Sequence, residues 1–491
     1  MRLMVAGVLA LLALAPLAAT PAQTYRPSFL ETDRGIDPFV STCRTTGRTP
    51  VVTANTNLIE GDTQVQLGAQ AGCWTPQNEP SIAVDPNNAL HLIAGANDYR
   101  LCCDREGHND GTGWVYMSAD GGRTWLNRLL PQLTLETGAH QFLANVDSAG
   151  DPAVAFTSKS VALYANIAFR RDGAYSAITL SRSIDGGVHW KAPKVLARAD
   201  DPAIFLDKEW VATGPSGLVA VTWTRFNQND GIFGSARIYA RISHDGGVSF
   251  GPPVNIAPGQ IISQGTAPAF APDGTLYVAY ETADFFQQTD AMAYSIARPP
   301  YNRFHVHIIT TVYDNCYPLN TDGRGTLTGV NFRVNSFPSL TTDPASTTAA
   351  VVFTDDQGGC NQPQTDSQIR VSYVHLSHHS VPVTISNGGD KTMPAAAYRD
   401  GVLTVGYYTT AYNSPVYDVA HPGVDFAYVS SRDGFVEHRV SDGSSDSFAE
   451  FKGSFIGDYS AAAEGSDGIV HLAWTDSRGG DQNIYTQGVT P

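Results

Sequence analysis

The chain has 491 residues, 47 acidic against 31 basic, for a formal charge of −16. Charged residues make up only 16% of it, against roughly 25% in an average domain. Such a chain argues against sequence-independent nucleic-acid binding, which needs clustered Lys and Arg, and against electrostatic docking on anionic lipid.

The first element, residues 1–22, reads as a secretory signal. Arg2 is a short basic start, Leu3 to Leu14 form an apolar run, Pro16 breaks it, and Ala18, Ala19 and Ala22 supply small residues for cleavage. The run is too short to span a membrane. A secreted product, extracellular or periplasmic and without membrane insertion, is expected. Residues 23–75 form an N-terminal extension in which Val51-Val52-Thr53-Ala54 reads as a strand available to close a ring. Export implies an oxidising compartment, so Cys43, Cys73, Cys102, Cys103, Cys316 and Cys360 are expected in disulfides. Cys316 with Cys360 is the favoured pair, because both fall within one repeat. The vicinal Cys102 and Cys103 are expected to bond elsewhere than to each other. No Cys/His spacing of the zinc type occurs, and no metal or cofactor is expected.

Residues 76–491 are built of repeats. Ser-x-Asp-Gly-Gly-x-x-aromatic appears at Ser118, Asp120 and Trp125, at Ser183, Asp185 and Trp190, and at Ser243, Asp245 and Phe250. A worn copy has Ser431, Asp433, Gly434 and His438. The aspartates stand 65, 60 and 188 residues apart, the last interval close to three steps of about 63. A second pattern keeps the same period: a Pro-Ser/Ala start, a short apolar strand, a Gly/Asn/Asp turn and an aromatic-rich strand. Pro80, Pro152, Trp210, Pro268, Pro338, Pro394 and Tyr459 mark seven units. Each reads as short strands with period-two alternation, and no 3.6-residue periodicity competes. The expected fold is therefore all-β: one propeller of four-stranded blades, seven favoured with six left open, closed by an N-terminal strand.

Ser-x-Asp-x-Gly-x-x-Trp resembles the Asp-box, or bacterial neuraminidase repeat, of the secreted sialidase-like propellers. Asn78-Glu79-Pro80-Ser81 and Trp474-Thr475-Asp476-Ser477-Arg478 resemble phrases of the same proteins. The box itself is a hairpin device: the aspartate accepts turn N–H groups, the glycines supply positive φ and the aromatic ring packs between sheets. The resemblance implies a site on the opposite face, at strand-1 starts and strand-2 ends. The strand-1 starts carry Glu79, Asp151, Asp207-Lys208-Glu209, Gln264, Arg333, Lys391 and Asp458-Tyr459. The strand-2 ends carry Asp98 with Arg100, Arg170-Arg171, Arg225, Glu281 with Asp284, Asp355-Asp356, and Asp476 with Arg478.

Glycoside hydrolysis commonly needs two carboxyl groups, or in sialidases a tyrosine nucleophile, and sialidase-like sites grip a substrate carboxylate with several arginines. Glu79, Asp98, Asp207 and Glu209 are the acid/base candidates, and Tyr459, beside Asp458, is the candidate nucleophile. Arg100, Arg225, Arg333 and Arg478 are the candidate clamp, with Lys208 and Asp476 as further substrate contacts. The chain has no Phe/Tyr-Arg-Ile-Pro motif; Asn78-Glu79-Pro80 occupies the comparable place. His305, His307, His375, His378 and His379 read as solvated histidines. The expected function is a monomeric, secreted, sialidase-like glycoside hydrolase acting on acidic glycans. A non-catalytic glycan- or protein-binding propeller and a polysaccharide lyase are the alternatives. The first reading requires Arg100, Arg225 and Arg478 to converge in one pocket with two carboxylates.

Overall fold

The computed structural model describes residues 55–59, 75–102, 109–230, 234–284, 289–314, 317–356, 366–412, 415–418 and 421–491. The leader, the strand expected at 51–54 and the cysteine pairings lie outside them. Chain order begins with β1 (Thr56–Asn57), whose sheet is completed only at the far end. The first blade is β2 (Gln77–Asp85), β3 (Asn88–Cys102), β4 (Asn109–Ser118) and β5 (Leu126–Leu129). The second is β6 (Ser148–Phe156), β7 (Ala162–Phe169), β8 (Ser176–Ser183) and β9 (Lys194–Ala199). The third is β10 (Ile204–Thr213), β11 (Val219–Asn227), β12 (Ser235–Ser243) and β13 (Val254–Asn255). The fourth is β14 (Ser263–Phe270), β15 (Leu276–Asp284), β16 (Thr289–Ala297) and β17 (His305–Val312).

In the fifth, β18 (Ser339–Thr342), β19 (Ala349–Asp355) and β20 (Gln368–His375) are completed by two short segments on β20, β21 (His378–His379) and β22 (Val383–Thr384). The sixth holds β23 (Lys391–Arg399) and β24 (Val402–Thr409), then a separate hairpin of β25 (Pro415–Asp418) and β26 (His421–Pro422), then β27 (Asp425–Ser430) and β28 (His438–Arg439). The seventh is β29 (Ala461–Glu464), β30 (Val470–Asp476) and β31 (Asn483–Val489), with β1 antiparallel to β31 as its fourth strand. The molecule is a β-propeller of seven blades.

Closure by an N-terminal strand is as expected, but the closing residues are Thr56–Asn57, just after the segment read from the sequence. Beside them Leu58 is fully buried in a core shared by the seventh and first blades, with Leu92, Tyr116 and Ile484. The other cores likewise lie between neighbouring blades. Trp474 of the seventh blade stacks on Phe426 of the sixth at 5.0 Å between centroids.

The Asp-boxes form the turns from third to fourth strand. In the first, Asp120 Oδ1 accepts from the backbone N–H groups of Arg123 and Thr124 at 3.0 Å, and the Trp125 indole donates to the Gly122 carbonyl. The Thr124 hydroxyl and these N–H groups hold the Asp120 carboxyl down at about 2. The copies at Asp185 and Asp245 repeat the arrangement. An antiparallel meander places these turns at the opposite end of each blade from the start of its first strand.

The Pro-Ser starts have a structural cause. Five first strands carry a two-residue β-bulge near their start, between Asn78 and Ser81, Gly150 and Ala153, Asp207 and Trp210, Gln264 and Ala267, and Thr392 and Ala395. The first bulge residue is left-handed each time: Glu79 (φ 57°), Asp151 (51°), Lys208 (52°), Gly265 (68°) and Met393 (52°). The second is Pro80, Pro152, Glu209, Thr266 or Pro394. A bulge leaves this residue out of the ladder, so proline sacrifices no hydrogen bond there.

Candidate active site on the propeller axis

Three charged residues of the left-handed column, Glu79, Asp151 and Lys208, meet Asp458 and Arg333 near the axis. Lys208 Nζ lies 3.1 Å from Asp151 Oδ2, 2.5 Å from Asp458 Oδ2 and 3.9 Å from Glu79 Oε1. Arg333, from the connection ahead of β18, grips Asp458 in a bidentate pair through Nε (2.7 Å) and Nη2 (2.5 Å). Glu79 accepts from Asn97 Nδ2 at 2.6 Å and from the Asp458 backbone N–H at 2.8 Å. Asn97 also accepts from the Asp151 N–H. All of these side chains are buried. Three carboxylates thus surround two cations from five parts of the chain.

An axial channel of about 160 Å³ begins at this ring and is lined by the first strands of all seven blades. Its wall includes Lys208, Glu209, Trp210, Asp458 and Tyr459. On the other side of the ring a pocket of about 30 Å³ is lined by Glu79, Asn97, Tyr99, Asp151, Arg171 and Phe455.

The column that follows the left-handed residues is decisive. It holds Pro80, Pro152, Pro338 and Pro394 in four blades, and Glu209, Thr266 and Tyr459 in the other three. Two of the three departures thus bring a carboxyl and a phenol to the channel. Tyr459 meets Trp210 edge-on, with centroids 5.2 Å apart. No other described residue hydrogen-bonds either buried oxygen of Glu209, and the buried Tyr459 hydroxyl has no partner among the described residues. Burial, then the charges of Asp151 and Asp207, push the Glu209 carboxyl well above the usual carboxylate range; Lys208 pulls the other way. Burial, then Asp151 and Glu79, likewise push the Tyr459 phenol up. Both shifts favour the protonated form, and Glu209 and Tyr459 flank Lys208 and Asp458, the ring's cation and one of its carboxylates, in the channel wall.

The remaining expected site residues lie elsewhere. Arg100 folds back on Asp98 (Nη2 to Oδ2, 2.6 Å), bonds Asn127 and lies 4.3 Å over the Trp114 ring. Asp98 also accepts from the Tyr116 hydroxyl at 2.8 Å. Arg478 repeats the pattern with Asp476 and the Tyr485 ring, and Asp476 accepts from the Trp474 indole. Arg225 sits in β11 opposite Arg237 of β12. Arg100 is thus held by its own blade, Arg478 by Asp476 and also by Asp442 and Asn55, and none of Arg100, Arg225 and Arg478 lines the axial channel. Of the candidate clamp only Arg333 reaches the axis, where it engages Asp458. Asp207 accepts from the Lys208 backbone N–H at 2.8 Å. Lys391 turns to Thr409 and Glu437 of its own blade.

Sequence reasoning passed over Asp151 and Asn97 as site residues. Asp151 was visible as a charged strand-1 start immediately before a repeat proline. Nothing in the sequence marks Asn97 as the residue that joins Glu79 to Asp151.

No family model matches the chain, and no curated protein matches it. Among solved structures it is similar to an α-L-arabinanase of Penicillium chrysogenum, with 11% identity over 89% of this chain and 99% of that one and a TM-score of 0.46. An α-L-arabinofuranosidase from Fusarium graminearum gives 10% identity, 89% and 98% coverage and a TM-score of 0.46. An ulvan lyase gives 10%, 85% and 94%, and 0.44. Identity this low, with TM-scores under 0.5, leaves the function to be argued from the chain's own residues.

Proposed function

We propose that the protein is a carbohydrate-active enzyme that hydrolyses a glycosidic bond at the axial channel. The observation that carries this reading is the replacement of the repeat proline by Glu209 and Tyr459. At both positions a position suited to proline holds a buried polar group that no other described residue hydrogen-bonds, and such local exceptions collect at functional sites. Glu209, protonated, is the general acid that delivers its proton to the glycosidic oxygen as the C–O bond breaks. Asp151, in contact with Lys208 at the ring where the channel begins, is the carboxyl assigned to face the positive charge that develops on the sugar ring. It is the charge that acts most strongly on both Glu209 and Tyr459. Two carboxyl groups with protonation states driven apart by their surroundings are what this chemistry needs. Tyr459, its phenol proton retained, donates a hydrogen bond rather than attacking as a nucleophile.

The substrate class follows from charge. Lys208 and Arg333 are already engaged by Asp151 and Asp458, and the ring carries more carboxylates than cations. A neutral sugar fits this balance better than sialic acid or a uronate. The test is a panel of neutral and acidic aryl glycosides and polysaccharides incubated with purified protein. Turnover of a neutral glycoside supports the reading; exclusive turnover of sialosides, or eliminative cleavage of uronate polymers to unsaturated products, contradicts it. One observation favours a second reading, a non-catalytic binding propeller: the charged groups at the ring largely satisfy one another. Saturable glycan binding with no product across the panel would establish it.

A further inference from the structure

The fourth blade carries a second buried acidic group, away from the ring. Glu281 near the end of β15, Asp290 at the start of β16 and Asp314 just beyond β17 each present a carboxylate oxygen, all within 4.8 Å of one another, and all three residues are buried. Three carboxylates this close cannot all stay ionised in a dry interior without added positive charge. Separate observations point to a ligand between them. Glu281 is fully buried, and neither of its oxygens is in good hydrogen-bond geometry with a described residue; the Asp314 side chain and the Ser336 backbone N–H are the groups near enough to act on it. The Ser336 backbone N–H acts on the Glu281 carboxyl, and the Ser336 hydroxyl, on a fully buried residue, is also unpartnered. The buried Tyr317 hydroxyl, unpartnered too, feels Asp314 more strongly than any other charge.

We propose that Glu281, Asp290 and Asp314 bind a divalent cation, calcium in the first place, with Ser336 Oγ as a further ligand. The donors are all oxygen, which selects hard cations over zinc or copper. An all-protein cage of buried carboxylates suits Ca2+, with ligands at about 2.3–2.6 Å in flexible geometry, better than Mg2+, which usually keeps several waters. The ion ties together the end of β15, the start of β16 and the connection that follows β17. That connection runs to β18 and carries Arg333 to Asp458, so the site braces the segment that reaches the axis.

The experiment is calorimetric titration of the full chain, dialysed against EDTA and then metal-free buffer, with CaCl2 and separately with MgCl2. A thermal melt of the same samples accompanies it. The expected result is one Ca2+ per chain, with a dissociation constant below about 1 mM and a melting temperature that rises with calcium. Glu281→Gln weakens binding at least tenfold and loses the calcium-dependent rise. Should that variant not fold, Asp290→Asn carries the same expectation. Absence of saturable calcium binding in the wild type, unchanged affinity in the variants, or tighter binding of magnesium than of calcium would each overturn the proposal.

Discussion

At the scale of single residues, the protein separates charged groups that stabilise from groups held ready to react. Lys208 belongs to the first kind. It is buried and meets Asp151 and Asp458 directly, so removing its charge takes a buried cation from both carboxylates and leaves Arg333 as the ring's remaining one. Breaking a buried ion pair on one side typically costs about 3–5 kcal/mol. Lys208→Met is expected to lower unfolding stability by about that much, read from urea denaturation curves. Glu209 belongs to the second kind and behaves oppositely. Its folded carboxyl titrates well above the unfolded value. The native state therefore holds a proton that the unfolded chain releases, and Glu209 lowers stability progressively as pH rises from the unfolded carboxylate value toward the folded one. Glu209→Gln removes this dependence. The variant is expected to melt higher than the wild type at pH 7, with the gap closing below about pH 4, where both states of the wild type are protonated. Equal melting temperatures at both pH values would contradict the assignment of Glu209 as a buried acid.

At the scale of elements, the two repeated devices sit at opposite ends of each blade. The Asp-box sets the turn from third to fourth strand and depends on glycines at positive φ. Gly186 has φ 75°, and a Cβ there would run into the His91 imidazole of the first blade. Gly186→Ala is expected to destabilise by at least the about 1–2 kcal/mol of a left-handed non-glycine residue, measurable by thermal and chemical denaturation. The other device, the bulge in the first strand, orients the site. Its proline was legible in the sequence as a repeat marker, because a ladder-free position tolerates proline in blade after blade. The meaning of Glu209 and Tyr459 was legible only in part. Tyr459 already stood among the repeat markers, but Glu209's place in the proline column, one residue before the marker Trp210, requires the bulge register of β10. The arginines were misread for a physical reason. Asp98-Tyr99-Arg100 and Asp476-Ser477-Arg478 place each arginine two residues beyond an aspartate that captures both its backbone N–H and its guanidinium. A sequence shows that these charges stand at strand ends, but not that each is consumed by its own neighbour.

At the scale of the whole molecule, the period of about 63 residues was enough to give the ring and to favour seven blades, with six left open until the sheets were in view. The last sheet was legible too: three C-terminal strands need a fourth from elsewhere. The exact closing segment was not, because Thr56–Asn57 lacks the β-branched run that made Val51–Ala54 attractive. What secures it is packing: Leu58 is fully buried between the seventh and first blades, and Asn55 donates to the Val440 carbonyl of the sixth. Leu58→Ala is expected to lose about 2–5 kcal/mol. Because the loss falls at the seam, limited proteolysis should release the N-terminal segment first. Wild-type protease resistance in this variant would mean that the ring does not depend on β1 for closure.

The central claim is that Glu209 delivers a proton inside the axial channel, and it is tested most directly by comparing leaving groups. The wild type and Glu209→Gln are assayed on one neutral glycone bearing either a natural sugar or an activated dinitrophenol as leaving group. A positioned general acid contributes about 10²–10⁴-fold, and only where the leaving group needs a proton. The variant is expected to lose that factor on the natural linkage while turning over the dinitrophenyl glycoside at a rate close to wild type. Equal losses on both substrates, or full activity of the variant on the natural linkage, would contradict it.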